Sequence, residues 1–390
     1  MIGGTAVLLD AIAAVPLLIW IYLLAGRGAF WRVSKSLARE IPQITPLKRV
    51  AAAIPARNEA AYIGEAISSL LQQEFPAPLH IVVVDDASND GTAELARAAA
   101  ERAGKWAQLT VIKGEPLPAG WTGKLWAVAQ GVAYVDTLEP DYLLLTDADI
   151  RHGRCSVAGL VGTAESGRYD LASYMVKLTC STTAEKALIP AFVFFFLKLY
   201  PPVWIRSEKS KTAGAAGGCI LIRVTALRRI GGIAAIRHEM IDDCALARAV
   251  KNSGGRIWMG LTDETDSTRS YGDFAEIGRM ISRTAFNQLR HSGLLLATAV
   301  IGLFFTYLLP PLLLFTHRVI PSMLGATAWL LMSFSYLPMV RFYRRSSGWA
   351  LALPLIAAFY LGATIHSAVQ YWRGQGGQWK GRFQDARLPR

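Results

Sequence analysis

The chain has 390 residues, 52% of them hydrophobic and 18% charged, with a formal net charge of +12 at pH 7. That is too apolar for an ordinary soluble domain and too charged for a transporter. The apolar stretches lie at the two ends with Arg and Lys beside them, which favours an anionic membrane surface, and no nucleic-acid signature occurs, so nucleic acid is not expected as a partner.

Residues 6–25 are an apolar stretch of membrane-spanning length, interrupted by Asp10. They lack the basic leading region and cleavage site of a signal peptide. Arg27, Arg32, Lys35 and Arg39 follow, so the positive-inside rule puts the N-terminus outside and the next domain in the cytoplasm, as in an integral cytoplasmic-membrane protein. Residues 27–46 read as a basic amphipathic linker on the membrane surface.

Alternation then begins. Strands are expected at residues 50–54, 80–84, 109–112 and 142–146, with helices from Ile63, over 92–103 and over 124–134. This spacing implies an α/β, doubly wound parallel sheet. No GxGxxG or Walker sequence follows any strand, so neither a dinucleotide fold nor a P-loop is supported. Residues 188–205 are strongly apolar, but Lys198 and Pro201-Pro202 favour an interfacial or re-entrant helix. A small-residue loop over 212–218 leads into a strand at 219–222, and His238-Glu239-Met240-Ile241-Asp242-Asp243 opens a helix.

Three apolar segments follow, at residues 294–315, 320–340 and 349–369. Arg341, Arg344 and Arg345 mark a cytoplasmic loop, yet three full spans would place the basic tail outside, so the segment broken by Pro310-Pro311 is expected to be re-entrant. The expected organisation is a membrane helix over residues 1–26, a cytoplasmic domain over 27–290 with an apolar interfacial segment at 187–205, membrane segments over 291–372 and a basic tail over 373–390.

Four stations fall at strand ends or helix starts: Pro55-Ala56-Arg57-Asn58-Glu59, Asp85-Asp86, Asp147-x-Asp149 and Asp242-Asp243. Carboxylates at the ends of strands of one sheet converge on its ligand-binding edge. Asp147 and Asp149 read in two ways: as a strand-ending turn with two solvated Asp, or as a close pair with a cation or proton between them, where a hard divalent ion with open positions for phosphates fits. Asp85-Asp86-Ala87-Ser88-Asn89-Asp90-Gly91 taken alone reads as an Asx turn and helix cap. Lys124, at a helix start after a Gly-rich turn, is placed either for a phosphate or in solvent, and Trp121 either stacks on a sugar or packs in the core. The four cysteines are scattered, as free thiols in a reducing compartment are.

The ordered set Pro-x-Arg-Asn-Glu, Val-Asp-Asp-x-Ser-x-Asp-x-Thr, Asp-x-Asp and Asp-Asp-x-x-Leu-Ala resembles glycosyltransferase family 2, over about residues 50–290. Gly120-Trp121-Thr122-Gly123-Lys124, Gly217-Gly218 and Arg223-x-x-x-Leu227-x-x-Ile230-Gly231-Gly232 add to the likeness, which is nearest to the membrane-bound hopene-associated subfamily. The resemblance implies a GT-A fold, a doubly wound mixed sheet of Rossmann-like kind with N- and C-terminal transmembrane helices. It implies that Pro55, Ala56, Arg57, Glu59, Asp85 and Asp86 hold the nucleoside and that Asp147 and Asp149 meet the diphosphate and bind Mg²⁺ or Mn²⁺; Lys124 is a further candidate for the diphosphate, and Arg290 either contacts it or anchors the chain beside the membrane. Gly217, Gly218 and Trp121 would line the acceptor side, and Asp243, with Asp242 beside it, would be the general base of a single inverting displacement.

One departure concerns the Gln-x-x-Arg-Trp of processive members, which is Asn287-Gln288-Leu289-Arg290-His291 here. The missing Trp counts against a polysaccharide synthase. The tail's Trp379-Lys380-Gly381-Arg382 resembles that of some lipid glycosyltransferases. The expected partners are therefore a nucleotide sugar, most often UDP-linked in this family, a lipid acceptor such as a hopanoid, and the membrane. A non-catalytic scaffold would need neither Asp149 nor Asp243, and a nucleotidyltransferase would need a basic Gly-rich loop after the first strand, which is missing.

Overall fold

The computed structural model describes residues 2–33 and 47–374, and the backbone of 378–379 and 382–383. Residues 34–46 of the expected surface linker lie outside the described residues, as do Lys380, Gly381 and the side chains of Trp379 and Arg382. The chain divides into two compact units.

One unit comprises Ser34–Thr179, Trp204–Arg269 and Gly377–Arg390. Its strands are β1 (Val50–Ala56), β2 (His80–Asp85), β3 (Leu109–Lys113), β4 (Tyr142–Thr146), β5 (Ile150–Arg151), β6 (Leu171–Lys177), β7 (Cys219–Arg223) and β8 (Ile257–Ser267), in the spatial order β3-β2-β1-β4-β7-β6-β8-β5. Two further short strands, β9 (Gln378–Trp379) and β10 (Arg382–Phe383), pair antiparallel as a separate ladder. β1 to β4 are parallel, β7 runs antiparallel to both β4 and β6, β8 is parallel to β6, and β5 is antiparallel to β8. The mixed character enters with β7.

The physical reason for the parallel half is legible in β1 and β4. Every residue of both strands is buried, as in a sheet covered on both faces. The helix Gly123–Asp136 packs on β1 and β2. Its Gly131 permits the close approach, since a methyl there would stand 3.1 Å from Val84 Cγ2 and 3.2 Å from Ala53 Cβ. The helices Ile63–Leu71, Thr92–Arg102 and Ser156–Gly167 contribute Ile67, Ala96 and Val161 to one apolar core with β1, β2 and β4.

The register places the site. β4 ends at Thr146, which pairs with Cys219, the first residue of antiparallel β7. The segment after β4 and the one before β7 are therefore neighbours. β1 and β2 end at the same edge, with Ala56 opposite Asp85.

The other unit comprises Met1–Val33, Cys180–Val203 and Ser270–Gly376. Among the described residues, five segments are helical, long and apolar enough to cross a membrane: Val7–Gly26, Thr183–Arg206, Gly293–Thr316, Val319–Phe342 and Ser347–Trp372. The helix Thr183–Leu199 opens with a capping box between Thr182 and Glu185. The Glu185 carboxylate is fully buried and accepts from Ser181 N–H and Oγ, Thr182 N–H, Ser270 Oγ and Tyr271 N–H at 2.6–2.9 Å. Gly293–Thr316 changes its winding at a π-helical turn, Phe304–Leu308, just before Pro310-Pro311. The amphipathic helix Phe274–Gln288 packs along Leu353–Trp372.

Candidate active site

The Pro55-to-Glu59 turn and the Asp85-to-Asp90 turn are bound to each other. Ala56 O accepts from Asp86 N–H at 2.8 Å. Arg57 Nη1 donates to Asp86 O at 2.7 Å and lies 3.5 Å from its carboxylate. Asn58 N–H donates to Ser88 Oγ, and Asn58 Oδ1 accepts from Asn89 N–H, both at 3.0 Å. Asp85 Oδ1 accepts from Ser88 N–H, and Asp90 Oδ1 accepts from Thr92 N–H two residues on, as in an Asx turn, both at 3.1 Å.

At the end of β4, Lys124 Nζ lies 3.0 Å from Asp147 Oδ1 and 3.2 Å from Asp242 Oδ2. Lys124 is placed there by Thr122, whose hydroxyl caps the helix Gly123–Asp136. Burial favours the neutral amine, but Asp147, Asp242 and Asp243 together outweigh it and push the Lys124 pKa up. Asp242 and Asp243 form the first turn of the helix Asp242–Asn252. Asp243 Oδ2 accepts from Gly217 N–H at 2.9 Å and Oδ1 from Cys244 N–H at 2.6 Å. Burial, and then the Asp242 charge, push the Asp243 carboxyl up to about 6, against the pull of those amides and Lys124.

A cleft of about 370 Å³ brings Pro55, Lys124, Asp147, Gly217, Asp242 and Asp243 together. Its floor is apolar, from Leu125, Leu145, Ile220, Ile233 and Leu246. Asp149 and Glu59 meet beside it on a residue that the sequence motifs did not single out. Arg269 Nε donates to Asp149 Oδ2 at 2.8 Å and Nη2 to Glu59 Oε2 at 2.6 Å, with the guanidinium 4.7 Å from the Tyr62 ring centroid. Ser267 Oγ also donates to Asp149 Oδ2, at 3.2 Å. The β5–β8 ladder causes this: Ile150 pairs with Ser267, so the residue two beyond Ser267 reaches the carboxylate just before Ile150.

Other expected site residues stand elsewhere. Gly218 faces the core, where an added methyl would meet Ile150 Cδ1 at 3.1 Å and Val176 Cγ2 at 3.2 Å. Trp121 packs edge-on against Trp126, 5.2 Å between centroids. Arg290 belongs to the other unit and is exposed. There His291, standing where processive members carry Trp, stacks on Tyr371 at 4.0 Å between centroids.

Among the described residues, no group of three or more His, Cys, Asp or Glu is arranged to hold a metal by itself. Mg²⁺ and Mn²⁺ sites of the phosphate-binding kind use only one or two carboxylates, with substrate oxygens and water completing the shell. Asp147 and Asp149 fit that role. Burial, Asp149 and Asp242 together hold the Asp147 pKa up despite the adjacent Lys124 ammonium, and Lys124 and Arg269 are the cations that face the two carboxylates in this structure.

Residues 52–231 match Glycosyl transferase family 2. A curated 4,4'-diaponeurosporenoate glycosyltransferase of Staphylococcus aureus (strain USA300) is 33% identical over 97 residues, a match that covers 25% of this chain and 23% of the relative's length. The structure of the mannosyltransferase PcManGT from Pyrobaculum calidifontis, solved with GDP-Man and Mn²⁺, is similar with a TM-score of 0.52 at 20% identity, over 92% of this chain and 98% of that one. Residues 52–231 are thus similar to glycosyltransferase family 2, and the sheet that they help to build is of GT-A-like form.

Proposed function

We propose that this chain is a membrane-bound, inverting glycosyltransferase that moves a sugar from a nucleotide sugar, UDP-linked, to the hydroxyl of a lipid acceptor on the cytoplasmic side. The observation that carries the reading is Asp243. It is a carboxylate held in one geometry by two main-chain N–H groups, in a cleft shared with Asp147 and Lys124, with its pKa raised toward the range where a base works at neutral pH.

The turns at Pro55–Glu59 and Asp85–Asp86 serve the nucleoside, and Lys124 faces the diphosphate. Asp243 takes the acceptor hydroxyl's proton as its oxygen attacks the anomeric carbon. The carbon–diphosphate bond breaks on the opposite side, which inverts the configuration. Asp149 and Asp147 are the residues that would hold Mg²⁺ or Mn²⁺, whose contribution when bound is to stabilise charge on the departing diphosphate. The five apolar helical segments of spanning length among the described residues support a lipid acceptor. Hopanoid is the acceptor class that the sequence resemblance implies, and the curated relative is itself named for 4,4'-diaponeurosporenoate. A polysaccharide synthase of the same fold is the second reading, disfavoured by His291 in place of Trp.

The test is transfer from a panel of nucleotide sugars by the full chain in detergent, with total membrane lipid as acceptor and Mn²⁺ present. One donor should yield an organic-soluble glycolipid of inverted anomeric configuration. A bound donor that yields neither glycolipid nor free sugar would retire the reading.

A further inference from the structure

His152 is buried, and among the described residues it belongs to no group of three or more His, Cys, Asp or Glu that could hold a metal. Its Nε2 lies 3.0 Å from Thr146 Oγ1, and Thr146 Oγ1 donates to Gly218 O at 2.8 Å. A hydroxyl has one proton, and a carbonyl only accepts, so the Thr146 proton goes to Gly218. A neutral imidazole has one N–H, and the 3.0 Å contact to Thr146 takes it on Nε2, ahead of the 3.5 Å contact of Nδ1 with Ser156 Oγ, whose own proton goes to Gln73 Oε1 at 3.1 Å. Burial, which pushes this imidazole down to about 3, agrees with a neutral ring. The His152 turn is itself pinned: His152 N–H donates to Ser69 Oγ at 3.0 Å, and Gln73 bonds Gly153 O at 2.8 Å and Val157 N–H at 3.0 Å.

The far end of this chain of bonds is the base. Thr146 is the last residue of β4, directly before Asp147, and Gly217 N–H donates to Asp243 Oδ2 at 2.9 Å. Gly217 and Gly218 have no side chains with which to fix their turn, and the contacts around both leave little room for any. Hydrogen bonds fix it: Ala216 N–H donates to Ser173 Oγ and Cys219 N–H to Ala216 O, both at 3.3 Å, and the Thr146 hydroxyl holds Gly218 O at the shorter distance of 2.8 Å.

We propose that His152 is a positioning residue of the transfer reaction: through the Thr146 hydroxyl it sets the Gly217-Gly218 turn and thereby the orientation of the Asp243 carboxylate. The inference rests on the reading of Asp243 as the base. It assigns to His152 a role in kcat, with no contact to either substrate.

The test compares the full chain with His152→Leu, His152→Gln, Thr146→Val and Thr146→Ser, measuring kcat, donor KM and Tm, and repeats His152→Leu in an Asp243→Asn background. Gln can present an amide N–H near the place of Nε2, and Ser keeps the hydroxyl. His152→Leu and Thr146→Val should each lower kcat about 10–100-fold with donor KM within about twofold, while Gln and Ser recover most of it. In the Asp243→Asn background His152→Leu should cause no further loss. The relay is overturned if His152→Leu keeps wild-type kcat, if Gln fails to rescue, or if the loss is as large without Asp243. A wild-type chain that transfers no sugar overturns the functional reading first, and the relay with it.

Discussion

The main-chain N–H of Gly217 donates to Asp243 Oδ2 at 2.9 Å, and a methyl group on Gly217 would stand 3.3 Å from that same oxygen. The turn and the base are therefore in contact at van der Waals range. Gly217→Ala should lower kcat about tenfold by turning the carboxylate, while Tm changes by little because the neighbour to be displaced is a side chain. Steady-state kinetics and a melting curve on the same preparation check this.

The pH dependence follows from Asp243. The base works ionised, and its pKa is raised to about 6 by burial and by Asp242. The kcat/KM should be flat above about pH 7 and fall about tenfold per unit below 6. The stability effect has the opposite sense. A carboxyl that holds its proton more tightly folded than unfolded adds stability at low pH and loses it as pH rises from the ordinary carboxylate value through about 6. A pH–rate profile with an acid limb near 4 would contradict the assignment.

Lys124 touches Asp147 and Asp242 and helps to hold the Asp243 carboxyl down. Lys124→Gln removes that positive charge, so the acid limb of kcat/KM should move above its wild-type position. Donor KM should rise as well, since two carboxylates then face the diphosphate uncompensated. An unmoved limb would show that Lys124 and Asp243 are not coupled.

Arg269 joins two acidic groups that the chain separates by 90 positions, Glu59 and Asp149, whose side chains are 10% and 13% exposed. Replacing a cation that pairs buried carboxylates is costly, about 3 kcal/mol. Arg269→Gln should therefore lower Tm clearly. Glu59→Gln in the same chain should return part of the loss, because one of the two stranded charges is gone.

The sequence announces this site unevenly. β1, β2 and β4 are continuous apolar runs because both faces of the sheet are covered, and each ends in the residues that line its edge. The carboxylate of Asp147 is legible for that reason and those of Asp242 and Asp243 by their motif at a helix start, and the cleft does gather all three. The order β4-β7-β6-β8-β5 is not legible, because pairing between distant strands leaves no local pattern. Arg269 follows from that order, since it reaches Asp149 only because Ser267 pairs with Ile150. His152 carries no sequence signal: it follows a strand end at no motif spacing, and its meaning lies in the Thr146 hydroxyl. Glu185, just before the apolar run over 188–205, is marked by no motif, and its carboxylate is a cap and a tie to Ser270 and Tyr271.

The central claim is that Asp243 removes the acceptor's proton. Asp243→Asn keeps an oxygen for the Gly217 amide and relieves the buried charge, but turns its NH2 toward the Cys244 N–H, so the two effects offset and the variant should stay folded with a melting temperature close to wild type at pH 7. The decisive measurement is kcat for glycolipid formation beside the dissociation constant of the donor, in wild type and Asp243→Asn. A loss of at least about 10²-fold in kcat, with donor affinity within about twofold, is the predicted result. Turnover within a few-fold of wild type would contradict the account and return Asp243 to a structural role at a helix start.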